Sequence, residues 1–281
     1  MIMTKKVKSL SSHFVISFFG LVMIYPILWI IASSLKSEDE IFKKASSLIP
    51  TVLQWENYAQ GWKGFGSYGF DLFFTNSLIV TLSVLVGTLF SSTLTAFGFG
   101  RMNFRFKPFL FACLLATMML PSQVMLIPQY IMFQELGWVD TFLPLIVPAF
   151  IGGNAFFIFL LIQFVRGLPK ELDEAATIDG CSPFGIFTRI MLPLMRGAIT
   201  TVLIFSFLWT WEDFMGPLIY LNDTKLYTVT RGLQLFSDPQ SITAWGPLLA
   251  MSALALLPQL IVFLIFQKNI VEGIATTGLK G

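Results

Sequence analysis

Two groups of residues in this 281-residue chain have types and spacings that suggest chemistry. The first is Trp209, Trp211, Glu212 and Asp213, close together in an otherwise apolar stretch. Indole faces stack on sugar rings and carboxylates accept protons from hydroxyl groups, so this group suits a path for a polar, hydroxylated solute. The same four residues also suit a membrane boundary, with the acids in the headgroup region and the tryptophans as interfacial anchors; on sequence alone this second use is slightly favoured. The second group is Glu174, Ala175, Ala176, Asp179 and Gly180, inside the polar segment 166–196. Here a carboxylate beside small residues and a glycine suits contact with another macromolecule: a charge, a shallow surface for close approach, and a turn.

Other chemistries have little to build on. No G-x-x-x-x-G-K-[S/T] loop occurs, and no Gly is followed directly by Lys, so the chain has no phosphate cradle and is not expected to bind or hydrolyse ATP. One histidine, His13, and two separated cysteines, Cys113 and Cys181, offer neither a metal site, a disulfide framework nor a nucleophile–base pair. The chain is therefore expected to be no enzyme and to carry no cofactor of its own. A net charge of +2 excludes the concentrated basic face that nucleic acid requires. Asn154, Gln123 and Gln129 are polar groups within apolar runs, where interhelical hydrogen bonds are the ordinary use. Asn154 is kept as a further candidate for the solute path.

The elements that must position these residues are membrane helices. Hydrophobic residues make up 55% of the chain and charged residues 12%, against roughly 25% charged in soluble domains. Runs free of Asp, Glu, Lys and Arg cover 9–35, 72–100, 108–134, 141–165 and 239–267, each above the roughly 20 residues that one crossing needs. A shorter run, 197–211, continues past Glu212 and Asp213 to Tyr220. Six spans are expected, near 13–32, 73–97, 108–127, 143–165, 198–220 and 247–266. The first is too long for the apolar core of a signal peptide and has no A-x-A site after it, so it is read as retained.

Orientation follows from lysine and arginine. With both termini in the cytoplasm, Lys5, Lys6, Lys8, Arg101, Arg105, Lys107, Arg166, Lys170, Arg189, Arg196, Lys268 and Lys280 lie inside. Only Lys36, Lys43, Lys44, Lys63, Lys225 and Arg231 lie outside. The expected layout is an inner N-terminus 1–12, a first span 13–32, an external loop 33–71, a core 72–270 and an inner tail 271–281. The core carries the inner loop 166–196 and an external loop 221–244.

Within the inner loop, Pro169 suits a first helical position and Gly180 a left-handed stop, with about three turns of helix between them. Glu171, Asp173 and Glu174 sit where the helix dipole favours acids. Leu172, Ala175, Ala176 and Asp179 recur on one narrow face, and Ser182 with Pro183 can start a second short helix bearing Phe184, Phe187 and Ile190. The expected shape is a helix-turn-helix knuckle with apolar residues unpartnered in the chain. Packing against the chain's own inner face is the competing reading of that shape.

Glu174-Ala175-Ala176, Gly180, Ile190 and Leu192-Pro193, at these spacings and before the penultimate span, resemble the EAA loop of binding-protein-dependent ABC importer permeases. Ser47-Leu-Ile-Pro50 with Glu56-Asn57-Tyr58, Trp209 to Leu218, and the tail from Gly273 to Gly281 are similar to the carbohydrate branch, the maltose-type smaller permease. Asn commonly stands in that branch at the position of Trp211 or Glu212, a departure that bears on the polar face of the span. The resemblance implies an all-α integral membrane protein with six transmembrane helices and the type I ABC importer permease fold. It also implies a multi-pass protein of the bacterial cytoplasmic membrane, forming a heterodimer with a second, homologous permease. Two ATPase subunits that bind ATP and Mg would sit below, and an extracellular or periplasmic sugar-binding protein above.

On this resemblance Glu174, Ala175, Ala176, Gly180 and, more weakly, Asp179 couple to the ATPase, and Gly278, Lys280 and Gly281 belong to a tail at its interface. Loop 221–244 resembles the one that reaches into the binding protein, a plain connector being the alternative, and Trp55, Tyr58 and Trp62 add a docking surface in the first external loop. Transport of a sugar or oligosaccharide is the implied function. An ABC permease for an amino acid, a peptide or a phosphate ester is the nearest alternative. An ion-coupled carrier is further off, because neither an intramembrane charge relay nor an internal repeat is evident.

Overall fold

The structure is a computed structural model that describes residues 2–237 and 243–278, with side chains described over 13–237 and 243–269. Among the described residues it is all-helical, with one isolated bridge between Phe65 and Tyr68 and no strand. The chain divides into two compact units, Met1–Leu72 with Gly232–Leu257, and Phe73–Arg231 with Pro258–Gly281.

The first unit opens with α1 (Ile2–Ser33), followed by α2 (Glu38–Lys43) and α3 (Glu56–Lys63). From His13 to Ser33 α1 is apolar and long enough to cross a bilayer. Phe14 and Met23, 74% and 76% exposed, show that its side chains look outward, as a lipid-facing helix requires. The loop after it is tightly knit. The fully buried Lys36 ammonium donates to the carbonyls of Lys44 and Ser47, the Asn57 amide donates to the carbonyls of Ser34 and Lys36, both at 2.9 Å, and Ser34 and Tyr58 share a hydrogen bond of 2.8 Å. Glu40 accepts from the backbone N–H and hydroxyl of Thr51 at 2.9 and 2.6 Å. A buried lysine is tolerable here because carbonyl oxygens replace its water shell.

The second unit is built on α4 (Phe70–Arg101), α5 (Lys107–Met119), α6 (Ser122–Glu135), α7 (Leu143–Phe150) and α8 (Ala155–Gly167). After these come α9 (Glu171–Ile178), α10 (Pro183–Ile186), a π turn (Phe187–Met191), α11 (Leu192–Leu194), α12 (Arg196–Trp211) and α13 (Met215–Tyr220). The chain continues through α14 (Val229–Leu233) to the long α15 (Trp245–Gly278). The core joins Ala96 and Phe97 of α4, Leu161, Ile162 and Val165 of α8, and Met191, Met195 and Val202, all buried. Gly87 lets α4 approach α7: a Cβ there would meet the Phe150 ring at 2.6 Å.

His13–Ser33, Phe70–Arg101, Leu143–Gly167 and Trp245–Asn269 are helices long and apolar enough to span a membrane; two bent pairs bring the candidates to as many as six. The second of these pairs is Pro183–Leu194 with Arg196–Trp211, bent by 75°, and the expected spans carry interruptions along their length. The stretch expected at 108–127 stops at Met119, and α6 leaves at 106°. Leu120 is held extended before Pro121, which cannot donate the next helical hydrogen bond. The stretch expected at 198–220 breaks over 212–214, where the Asp213 carboxylate takes the N–H of Gly216 at 3.2 Å and opens the new helix α13. A third interruption, at 151–154, carries positive φ at Gly152 and Gly153.

Candidate functional site: a helical knuckle and a polar cavity

The knuckle begins with Arg101, the last residue of α4. Its Nε lies 2.7 Å from Asp173 Oδ2, and its Nη2 donates to the carbonyls of Leu168 at 2.8 Å and Pro169 at 3.2 Å. One guanidinium thus fastens both the approach to α9 and its first turn. Helix α9 starts at Glu171, not at Pro169 as expected, and has two turns instead of three. Pro169 lies just outside, its carbonyl committed to Arg101. Burial pushes the Asp173 carboxyl above its ordinary value; Arg101 opposes that shift and the neighbouring Glu174 adds to it.

The helix stops as expected, and the bonds explain why. Gly180, at φ +79°, donates to the Thr177 carbonyl at 3.0 Å, and Cys181 donates to the Ala176 carbonyl at 2.9 Å. This double closure is a Schellman stop, which needs a left-handed residue at that position. Ser182 then caps α10 by accepting from the N–H of Gly185 at 3.2 Å, with Pro183 at its first position.

The expected narrow face is divided. Ala176 is buried in the core, whereas Leu172, Glu174, Ala175, Asp179 and Gly180 are exposed. Phe187, expected to be unpartnered, is also buried, against Phe97 at 5.3 Å between ring centroids. The apolar groups that do look outward are Ile178 and Phe184, 86% and 69% exposed. Ile178 was missed in the sequence, where it breaks the heptad-like spacing of the other four.

The second site is a cavity of about 250 Å³ within the larger unit. Along α4, Ser77, Thr81 and Thr88 line it on one helical face. Opposite stand Ser206, Trp209 and Thr210 of α12, with Asp213, Asn154 and Thr228 completing the polar wall. Leu145, Pro148 and Phe157 supply apolar wall. Several of these groups are already engaged: Ser77 accepts from the N–H of Val229 at 2.8 Å, and Ser206 donates to Thr88 at 3.4 Å. Asn154 caps α8, its Oδ1 accepting from the N–H of Phe156 at 2.9 Å. Trp209 stacks on Phe157, with centroids 5.0 Å apart and planes 21° apart, and stays 42% exposed.

The structure therefore brings Trp209, Asp213 and Asn154 together and parts them from Trp211 and Glu212. Trp211 is buried, stacked on Phe207 at 5.8 Å, and does not line the cavity. Glu212 is exposed, with the Gln259 amide 3.5 Å away. Consecutive positions at the end of a helix point in different directions, so adjacency in sequence did not mean a shared site. The hydroxyl stripe of α4 was missed; Ser77, Thr81 and Thr88 at i, i+4 and i+11 in an apolar run were its signal. Of the expected tail residues, Gly278 ends α15 and Lys280 and Gly281 lie outside the described residues. Among the described residues no group of three or more His, Cys, Asp or Glu could hold a metal ion.

The family of binding-protein-dependent transport system inner membrane components matches residues 92–276, which include the whole knuckle and most of the cavity wall. The chain belongs to this family. Among curated members of this permease type, the chain is 38% identical to the probable ABC transporter permease protein YurM of Bacillus subtilis, over 92% of this chain and 84% of that protein. It is 35% identical to the arabinooligosaccharides transport system permease protein AraQ of the same organism, over 93% and 92%. To the sn-glycerol-3-phosphate transport system permease protein UgpE of Brucella suis it is 29% identical, over 99% of both. The fold matches a chain in a crystal structure of a bacterial ABC transporter involved in the import of the acidic polysaccharide alginate. The TM-score is 0.82 at 18% identity, covering 94% of this chain and 97% of that one. The type I ABC permease fold follows, with four to six candidate spans.

Proposed function

We propose that this chain is the membrane-spanning permease subunit of an ATP-driven importer that carries a sugar or oligosaccharide into a bacterial cell. The observation that carries the proposal is the exposed, locally stapled knuckle of α9 and α10 in a chain of this permease family, with Glu174, Ala175, Asp179, Ile178 and Phe184 outside and Ala176 anchoring it inside. The similarity to AraQ over nearly the whole of both chains favours an oligosaccharide cargo. The similarity to UgpE favours a phosphate ester as the second reading.

In this reading the chain sits in the cytoplasmic membrane with six spans and both termini inside, and pairs with a homologous permease to enclose one path. Two ATPase subunits bind ATP and Mg beneath it, and the knuckle rests in a cleft of one of them, with the tail around Gly278, Lys280 and Gly281 beside it. A sugar-binding protein docks on the external segments 33–71 and 221–244. Closure of the ATPases moves the knuckle, Arg101 passes that movement to α4, and the helices lining the cavity change their spacing. The chain itself makes and breaks no covalent bond.

Cysteines introduced at Ala175 and Ile178 in the assembled transporter should cross-link to the ATPase and stay protected from a membrane-impermeant thiol reagent added to intact cells. Labelling from outside, or no ATPase adduct at either position, would overturn the assignment.

A further inference from the structure

The proposed transport function leaves the charge of the cargo open, because the substrates named for its relatives include both neutral and anionic molecules. Resting on that reading, we infer that the cavity along α4 and α12 accepts a neutral sugar unit and turns away acidic or phosphorylated ones.

Three features of the wall support this. Its one ionisable residue is the carboxylate of Asp213, and no Lys or Arg lines it. The carboxylate accepts the N–H of Gly216 on one oxygen, which orients it on the wall. Its neighbours are suited to hydroxyl groups: the Asn154 amide uses its Oδ1 on the α8 cap and keeps its N–H donors, and Thr81 and Thr210 present hydroxyls. Trp209 offers an indole plane packed on Phe157 and still 42% exposed. Such a wall can both donate to and accept from a polyol while a ring lies on the indole.

A volume of about 250 Å³ suits one sugar ring, so the wall reads a single unit of a longer chain at a time. An anionic group there would face Asp213 with no cationic side chain in the wall to offset it. While Asp213 is ionised, two like charges about 5 Å apart at an effective dielectric near 20 disfavour each other by roughly a few hundredfold in binding, before screening reduces it. Lysine and arginine are the usual strong partners of a sugar anion, and this wall has neither.

The test uses the full transporter, this chain with its sister permease and ATPases, in lipid nanodiscs without the binding protein, so that the receptor's own preference is removed. Tryptophan fluorescence is titrated with an arabinose trisaccharide, a glucose trisaccharide, a galacturonate trisaccharide and sn-glycerol-3-phosphate. A neutral trisaccharide should change the signal, and Trp209→Phe should abolish the change. Both acidic ligands should bind at least about tenfold more weakly, and Asp213→Asn, which retains a cap for Gly216, should narrow that gap to about threefold or less.

Equal binding of acidic and neutral ligands to the native complex would overturn the inference, as would an unchanged gap in Asp213→Asn. Should that variant not assemble, the acidic-to-neutral ratio of the native complex decides alone. No response to any ligand, in a complex whose genes still support sugar uptake by cells, would remove the cavity from the path and leave the transport reading standing. Failure of the transporter to support uptake of any carbohydrate would sink the transport reading itself.

Discussion

The knuckle and the cavity are made in opposite ways. The knuckle is closed by bonds between near neighbours: Gly180 to Thr177, Cys181 to Ala176, Gly185 to Ser182. Its main distant fastening is the Arg101 guanidinium, 67 positions from the Leu168 carbonyl it holds. The cavity is held by distant pairs, Ser206 with Thr88 across 118 positions and Val229 with Ser77 across 152. A locally stapled element moves as a body, whereas a wall assembled from separate helices changes shape whenever one of them shifts. A transporter needs both properties, a rigid handle and a deformable chamber, and α4 reaches from one to the other.

The largest effect is expected where the handle meets the bundle. Arg101→Ala removes the ion pair and two carbonyl contacts of a side chain only 7% exposed, and strands Asp173. A loss of about 3 kcal/mol is expected, read as a lower melting temperature and poorer recovery of the ATPase with the purified complex. Asp173→Asn should cost distinctly less, because burial already disfavours the charged carboxylate. Equal losses in the two variants would mean that the pair itself, and not Arg101's hold on the chain, carries the joint.

Gly180→Val comes next. No atom lies within 4 Å of a Cβ built there, so the whole penalty is backbone strain at φ +79°, about 1–2 kcal/mol. Uptake and receptor-stimulated ATP hydrolysis should fall roughly five- to thirtyfold while assembly is retained. Normal uptake by a well-assembled variant would show that this turn does not couple.

On the cavity side, Asn154→Ala should lower stability by about 1 kcal/mol through loss of the α8 cap, with Asn154→Ser recovering most of it. A thermal unfolding series of the two variants checks it. Full recovery of stability by Ser with none of the sugar response would separate the cap from the lining amide.

The smallest effect sets the knuckle against the loop that follows α1, through opposite pH dependence. Hydrogen bonds from Thr51 hold Glu40 below its ordinary value of 4.5, so its stabilisation is present above that pH and fades as pH falls through the lowered value. Burial holds Asp173 above 3.8, so its contribution is present below that pH and is lost as pH rises through the raised value. Glu40→Gln should therefore be most harmful near neutrality and silent in acid, while Asp173→Asn should be relatively most favourable near neutrality. Denaturation of each variant at several pH values gives the two slopes, and slopes of the same sign would contradict one of the two environments.

The knuckle was legible because its determinants are short-range. Gly180, Ser182 and Pro183 dictate a stop and a start within four positions, whatever surrounds them. The inward turn of Ala176 and Phe187 was not legible, since nothing local distinguishes them from Ala175 and Phe184; the core they meet comes from α4 and α8. The acidic pair was misleading for a related reason. Glu212 and Asp213 look equivalent in sequence, but Asp213 is drawn into the cap of α13 and onto the cavity wall, while Glu212 is left outside.

By itself the sequence determined that the chain is apolar enough to live in a membrane, where its helices can form, and the turn chemistry of the loop 166–196. These follow from composition and from bonds spanning a few residues. Only the tertiary structure decided which hydroxyls of α4 face Trp209 and Asp213, that Arg101 grips the approach to α9, and how sharply α6 turns from α5. Those outcomes depend on groups scores of positions apart, and apolar helices of similar composition carry no local mark of the neighbour they will meet.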